Sequence, residues 1–253
     1  MMRKLLFPLL LSFAPLATGR AAVPSPWASE GTQMVLVIAP DWQTASGHLR
    51  TFERRNGQWH AADIDFAVST GKNGAGWGLG LHESPNDGPF KAEGDGKAPA
   101  GIFQIGMAFG QAASLPTGLD YRAMIADDWC IDVNASPLYN RIVSVRDVGP
   151  EAIAGSSEPM RRDIHSGDHL YNKGFVIVHN PENRPKGGSC IFAHLWRSPG
   201  AATAGCTAMT EPDMDRLLLW LNQAKNPVFV LLPDTEFQRF KTPWQLPDLS
   251  LNK

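Results

Sequence analysis

A histidine, an arginine and a cysteine fall within one short span, Phe192-Ala-His194-Leu-Trp-Arg197-Ser-Pro-Gly200-Ala-Ala-Thr203-Ala-Gly205-Cys206-Thr-Ala-Met209. A protonated thiol is a weak nucleophile, and at a free pKa of about 8.5 only a few per cent is thiolate near neutrality. An imidazole such as His194 can take that proton. The small residues ahead of Cys206 leave room for a substrate backbone, and the N–H groups of Gly205 and Cys206 are candidates to face a developing oxyanion. This is the chemistry of a cysteine enzyme that transfers acyl groups. The bland alternative is a buried cysteine acting as a small hydrophobe, beside a hydrogen-bonded histidine on a buried strand that follows Ile191-Phe192-Ala193. Arg197 is a candidate carboxylate fork, set against a solvated loop arginine. His179, at a strand end next to Asn180, is either a rival base and substrate contact or a structural histidine. Thr203 and Thr207, flanking the Gly-Cys pair, complete the set of candidate substrate contacts.

The N-terminus places that chemistry. Met1-Met-Arg3-Lys4 is basic, Leu5 to Leu16 is almost wholly apolar, and Ala17-Thr-Gly19 and Arg20-Ala-Ala22 offer small residues for cleavage. Residues 1–22 read as a secretory signal peptide, too short for a membrane span; an uncleaved anchor is the competing reading. Cleavage removes three bases and no acids, which lowers the net charge from −2 to −5. With no basic run, nucleic acid is not an expected partner, and no stable membrane insertion is expected after cleavage. The mature protein is expected outside the cytoplasm. The 43% hydrophobic content and eight tryptophans supply a sizeable core without a disulfide scaffold.

Three cysteines, Cys130, Cys190 and Cys206, are an odd count for an oxidising compartment. Pairing of Cys130 with Cys190 would leave Cys206 free to react; the alternative is that all three stay reduced.

The elements that must hold these residues are mostly strands. Residues 23–32 read as a lead, and Met34 to Ile38 as a β-branched run. Gly47 to Arg54 and Trp59 to Ser69 flank the hairpin signal Asn56-Gly57. Gly71 to Gly80 carries five glycines, but His82-Glu83-Ser-Pro follows where a dinucleotide site needs a helix, so it reads as a loop. Gly94 to Gly101 leads into Ile102 to Ile105, Arg141 to Val145 is strand-like, and Glu158 to Ile164 reads as a short helix. Gly174 to Val178 and Ser189 to His194 are further strands. Glu211 to Ala224 has the clearest helical period, with Met214, Leu217, Leu218 and Leu221 on one face, Thr210 as N-cap and Asp213 three residues on. Pro227 to Leu232 closes the domain, and residues 233–253 read as a polar, proline-broken tail. The expected class is β-rich α+β, with one main helix directly after Cys206.

Several of these pieces resemble the L,D-transpeptidase catalytic domain of the YkuD type. Ser69-Thr-Gly71-Lys72 resembles the end of that family's first strands, and Gly96-Lys-Ala-Pro-Ala-Gly-Ile-Phe103 its proline-glycine-aromatic segment. His194 ahead of Thr203-Ala204-Gly205-Cys206 resembles its histidine and Ser/Thr-His-Gly-Cys signature, and Pro227 to Leu232 its final strand. The likeness runs from about Gln33 to Leu232. It implies a YkuD-like β-sandwich over residues 33–232 and attack by Cys206 on the carbonyl at the L-centre of the third stem-peptide residue of peptidoglycan. Terminal D-alanine would leave, and an amine would resolve the thioester. His194 would accept and return the proton, and the N–H groups of Gly205 and Cys206 would hold the oxyanion. No metal or cofactor is implied. Three departures mark a divergent branch with Gly-Cys-Thr-Ala-Met around the cysteine. The histidine lies 12 positions before the cysteine, closer than is usual. Ala204 replaces a second histidine. Thr207-Ala208-Met209 stands where an arginine often follows, which makes Arg197 the candidate replacement.

Other functions remain open on sequence. Water in place of the amine gives an L,D-carboxypeptidase or endopeptidase. A zinc peptidase would draw on Asp163, His165, Asp168 and His169, with His179, His194 and Cys190 as further ligands, although no HExxH motif is present. A non-catalytic wall-binding module would use exposed aromatics such as Trp77 and Trp196.

Overall fold

The structure is a computed structural model that describes residues 31–249. The segment read as a signal peptide and nearly all of the lead lie outside the described residues. The chain opens with β1 (Gln33–Ala39), β2 (Ser46–Arg55), β3 (Gln58–Ser69), β4 (Ala75–Trp77) and β5 (Ala98–Gly110). Then come β6 (Tyr121–Ala123), β7 (Asp128–Cys130), β8 (Ile142–Ser144), α1 (Val145–Val148), β9 (Glu158–Pro159) and α2 (Arg162–His165). The last part holds β10 (Lys173–Val178), β11 (Phe192–Leu195), β12 (Thr207–Met209), α3 (Glu211–Trp220), β13 (Val228–Pro233) and α4 (Asp234–Phe240).

Ten strands form one mixed sheet, and the other three, in the order β8-β7-β9, form a small second sheet. The main path runs β10-β11-β12-β3-β2-β1-β13-β5, and β5 pairs back onto β10, so the sheet closes on itself. Closure removes most of the unpaired edge that an open sheet presents. The hairpin signal at Asn56-Gly57 does what its residue types allow: both have positive φ, 51° and 78°, the geometry that lets a two-residue turn match the twist of β2 and β3. The central strands β1 and β13 pair in parallel from Met34↔Val228 to Ala39↔Pro233, and nearly every residue in both is buried. Such two-sided burial explains why both read as continuous β-branched and apolar runs instead of alternating ones.

The helix after the cysteine is α3. Thr210 caps it by accepting from the Asp213 N–H, and Met214, Leu217 and Leu218 are buried against the sheet. It ends earlier than its period predicts, because Leu221 turns extended and still buries its side chain. Two other readings are corrected. Residues 158–164 are a two-residue strand followed by α2, since Glu158 and Pro159 pair with β7 before the helix starts at Arg162. The segment after Leu232 contributes α4 and buries Phe237, Trp244 and Leu246. Trp244 stacks on Phe240 at 4.2 Å and meets the buried Trp77 edge-on at 6.2 Å, while Trp42 meets Trp77 at 5.0 Å. Its polar composition hides a few aromatics that cover one end of the core.

That packing sets an expected cost. Phe237→Ala should lower stability by about 3–5 kcal/mol, the usual range for deleting a buried aromatic side chain. Urea unfolding measures it, and a change below about 1 kcal/mol would show that α4 is dispensable to the core.

Candidate active site

Parallel pairing of β11 with β12 sets the geometry. Ala193 lies opposite Thr207 and His194 opposite Ala208. Cys206, one residue before β12, is therefore level with Phe192, and side chains two apart on a strand share a face. Cys206 and His194 thus emerge on one side of the sheet, on neighbouring strands, displaced by two residues. The thiol sits among Phe192, Phe109, Tyr171, Met160 and the Cys130–Cys190 pair.

A short turn delivers the cysteine. Thr203 Oγ1 donates to the Cys206 carbonyl at 2.7 Å and accepts from the Gly205 N–H at 3.0 Å. Gly205 has φ 151°, and a Cβ there would stand 2.9 Å from the Lys97 carbonyl oxygen, so no larger residue fits without displacement. The Gly205 N–H is committed to Thr203. Of the two donors expected for an oxyanion, only the Cys206 N–H is left without a partner in the turn. Thr203 is therefore a brace for the Gly205-Cys206 turn, and Thr207 is buried within β12.

The other two cysteines form a disulfide between β7 and the segment before β11. Cys206 is the free thiol. Its Sγ accepts from the Phe192 N–H at 3.3 Å and donates to the Cys190 carbonyl at 3.6 Å. Cys190 has φ 55°, and Asn140 Oδ1 accepts its N–H at 2.9 Å. The cleft at the thiol, about 220 Å³, is lined by Lys72, Lys91, Glu93, Asp132 and Glu158 as well as residues 189–191 and 204–206.

His194 donates from Nδ1 to the Leu195 carbonyl at 2.8 Å. That bond assigns the proton to Nδ1 and leaves the Nε2 lone pair available as a base. No hydrogen bond joins His194 to Cys206. Burial pushes the thiol up to about 12, with the Glu158 carboxylate adding to the shift, and burial pushes the imidazole down to about 4. The free protein holds a neutral pair, thiol and imidazole, and stores no ion pair. The Tyr171 ring lies against β11, 5.3 Å from the His194 ring and 5.4 Å from Phe192. Its hydroxyl donates to Glu158 at 2.8 Å, and the Arg162 guanidinium lies over its ring at 5.3 Å. Arg162 is held by Asp168 through two bonds of 2.9 and 2.7 Å. Sequence reasoning did not single out Tyr171, Glu158 or Arg162 for the cysteine site, because no local motif links residues that a second sheet brings together.

The remaining candidates fall elsewhere. Both ring nitrogens of His179 are occupied by backbone, Nδ1 accepting from Leu79 N–H at 3.2 Å and Nε2 bonded to the Gly187 carbonyl at 2.9 Å. It is a structural histidine outside the cleft. Arg197 is 68% exposed and turned toward Asp168 at 3.5 Å, so it does not line the cleft either. The zinc-ligand reading loses its donors to other bonds: Cys190 to the disulfide, Asp163 to Arg161, Asp168 to Arg162, and His165 Nε2 to the Ala126 carbonyl. Among the described residues no three such groups converge. Trp77 is core and Trp196 half-buried, so they form no exposed aromatic platform.

Two pH experiments follow. Iodoacetamide labelling of Cys206 in the free protein should rise about tenfold per pH unit from 7 to 10 with no plateau near 8.5; a plateau at or below 8.5 would contradict the buried, neutral thiol. His82, His179 and His194 are each pushed down to about 4, mainly by burial, against about 6.5 in an unfolded chain. The unfolded state then binds more protons between these values, so stability is full above pH 6.5 and falls as pH drops toward 4. Glu158, raised by burial, works in the opposite sense but is one group against three. The urea midpoint should be lower at pH 4.5 than at pH 7, and an unchanged or higher one would refute the linkage.

The family model for the L,D-transpeptidase catalytic domain, YkuD, matches residues 42–230. No curated protein matches the chain. Among solved structures, the helical cell shape determining protein Pgp2 from Campylobacter jejuni is similar at 15% identity over 81% of this chain and 48% of that one, with a TM-score of 0.39. A point mutant of it gives 15% identity, 85% and 51% coverage, and a TM-score of 0.40. This chain spans about half the length of those proteins. The chain belongs to the YkuD family of L,D-transpeptidase catalytic domains.

Proposed function

We propose that this protein is a peptidoglycan L,D-transpeptidase whose nucleophile is Cys206. One observation carries the reading: the free thiol lies at the base of a cleft, on the same sheet face as a histidine whose hydrogen bonding leaves Nε2 unprotonated. Sγ attacks the carbonyl at the L-centre of the third stem-peptide residue. Because the resting pair is neutral, the proton passes to His194 Nε2 as attack proceeds and negative charge moves onto the substrate oxygen, which the Cys206 N–H is free to meet. His194 then protonates the departing D-alanine amine, and an incoming amine resolves the thioester.

Residues 33–232 form the catalytic domain in this reading, with α4 and the aromatics beyond it as a buttress. The Cys130–Cys190 disulfide fits an oxidising compartment, and with the leader-like residues 1–22 it supports a periplasmic protein at the cell wall. Among the described residues no helix is long and apolar enough to cross a membrane.

The test is direct. Incubated with disaccharide-tetrapeptide, the mature protein should release D-alanine and form cross-linked dimer, and Cys206→Ala should lose several orders of magnitude in rate. Tripeptide without dimer would identify a hydrolase of the same bond. Full activity in Cys206→Ala would overturn the cysteine mechanism.

A further inference from the structure

Two cations, Lys72 and Lys91, line the cleft over Cys206. They are not equivalent. Lys91 is buried, and its Nζ donates to Asp95 Oδ1 at 2.6 Å and to the Ala92 carbonyl at 2.6 Å. Its charge is already answered. Lys72 makes no side-chain hydrogen bond or ion pair among the described residues, although its surroundings hold it in place. The Lys72 N–H donates to the Thr203 carbonyl at 2.8 Å and Gly71 bridges to Thr203, the same threonine whose hydroxyl holds the Cys206 carbonyl. Its aliphatic stem lies over Gly96, where a Cβ would come within 2.9 Å of Lys72 Cε and 3.1 Å of Cγ. The side chain is exposed with its stem along Gly96, the backbone is tied to the Cys206 turn, and the ammonium has no ion-pair partner, although Glu93, Asp132 and Glu158 line the same cleft.

No arginine lines this cleft, and Arg197 is directed to Asp168. We propose that Lys72 is the carboxylate-binding residue of the site, a point charge that receives a free carboxylate of the peptide substrate and disfavours peptides in which that carboxylate is amidated. The inference rests on the peptide acyl-transfer reading above. A lysine whose stem runs along Gly96 meets one charge without demanding the planar two-point geometry of a guanidinium. The site therefore selects for charge at one place more than for the shape of the group that carries it.

Calorimetric titration of the full chain carrying Cys206→Ala, which binds without turnover, tests this. The probes are disaccharide-tetrapeptide and the same compound with its carboxylates amidated. Lys72→Met should weaken binding of the free-acid peptide about tenfold, the loss of one charge-assisted hydrogen bond at a solvent-facing site, and leave the amidated peptide unaffected. Lys72→Arg should recover most of the loss, and an unchanged melting temperature confirms that Lys72→Met folds. If Lys72→Met binds both peptides as its parent does, the assignment of Lys72 falls and the functional reading stands. If the Cys206→Ala chain binds neither peptide, the functional reading falls and takes the lysine's role with it.

Discussion

The site depends on two neighbouring strands running in the same direction. Because β11 and β12 are parallel, Cys206 and His194 share a face although the chain between them is a ten-residue-scale excursion through Arg197, Gly200 and Thr203. An antiparallel return would give a different register and would need only a tight turn. The excursion supplies the Thr203 brace, and the brace fixes both ends of the Gly205-Cys206 peptide. Everything reactive here is a consequence of that register and that turn.

The surroundings of the thiol run against easy ionisation. Aromatic neighbours and the disulfide remove water from Cys206, and Glu158 adds a negative charge nearby. A reactive cysteine of the ion-pair type would show the reverse, a depressed thiol beside a protonated imidazole. This arrangement favours the protonated thiol in the free protein. Tyr171 and Arg162 tie the small sheet to this centre: the phenol donates to Glu158 on β9, and the guanidinium covers the ring. That hydrogen bond and the Cys130–Cys190 disulfide link the second sheet to the surroundings of Cys206.

The parts of the molecule legible in its sequence were those whose signal is local. Asn56-Gly57 announces its turn because few residues tolerate two positive φ values in succession. Met214, Leu217 and Leu218 announce α3 by their period. The cysteine and histidine announce themselves by type, and the identity of the free thiol follows once Cys130 and Cys190 are joined. What was not legible lies in long-range contacts. Glu158 and Pro159 read as the start of a helix because their pairing partner, β7, is distant in sequence. His179 and Arg197 have the right side chains for substrate binding, yet backbone carbonyls and Asp168 claim them. The chain past Leu232 reads as polar because Phe237, Trp244 and Leu246 are few, and only their positions reveal that they are core.

The pairing of β1 with β13 has a temporal consequence. Met34 pairs in register with Val228, and the Thr32 N–H donates to the Lys225 carbonyl, so the centre of the sheet joins the two ends of the domain. Non-local pairings of this kind cannot form until the intervening chain has been made, and they slow folding. Until β13 is made, β1 has β2 on one edge and no partner on the other. The same topology that buries the centre of the sheet therefore postpones its completion until both ends of the domain are present.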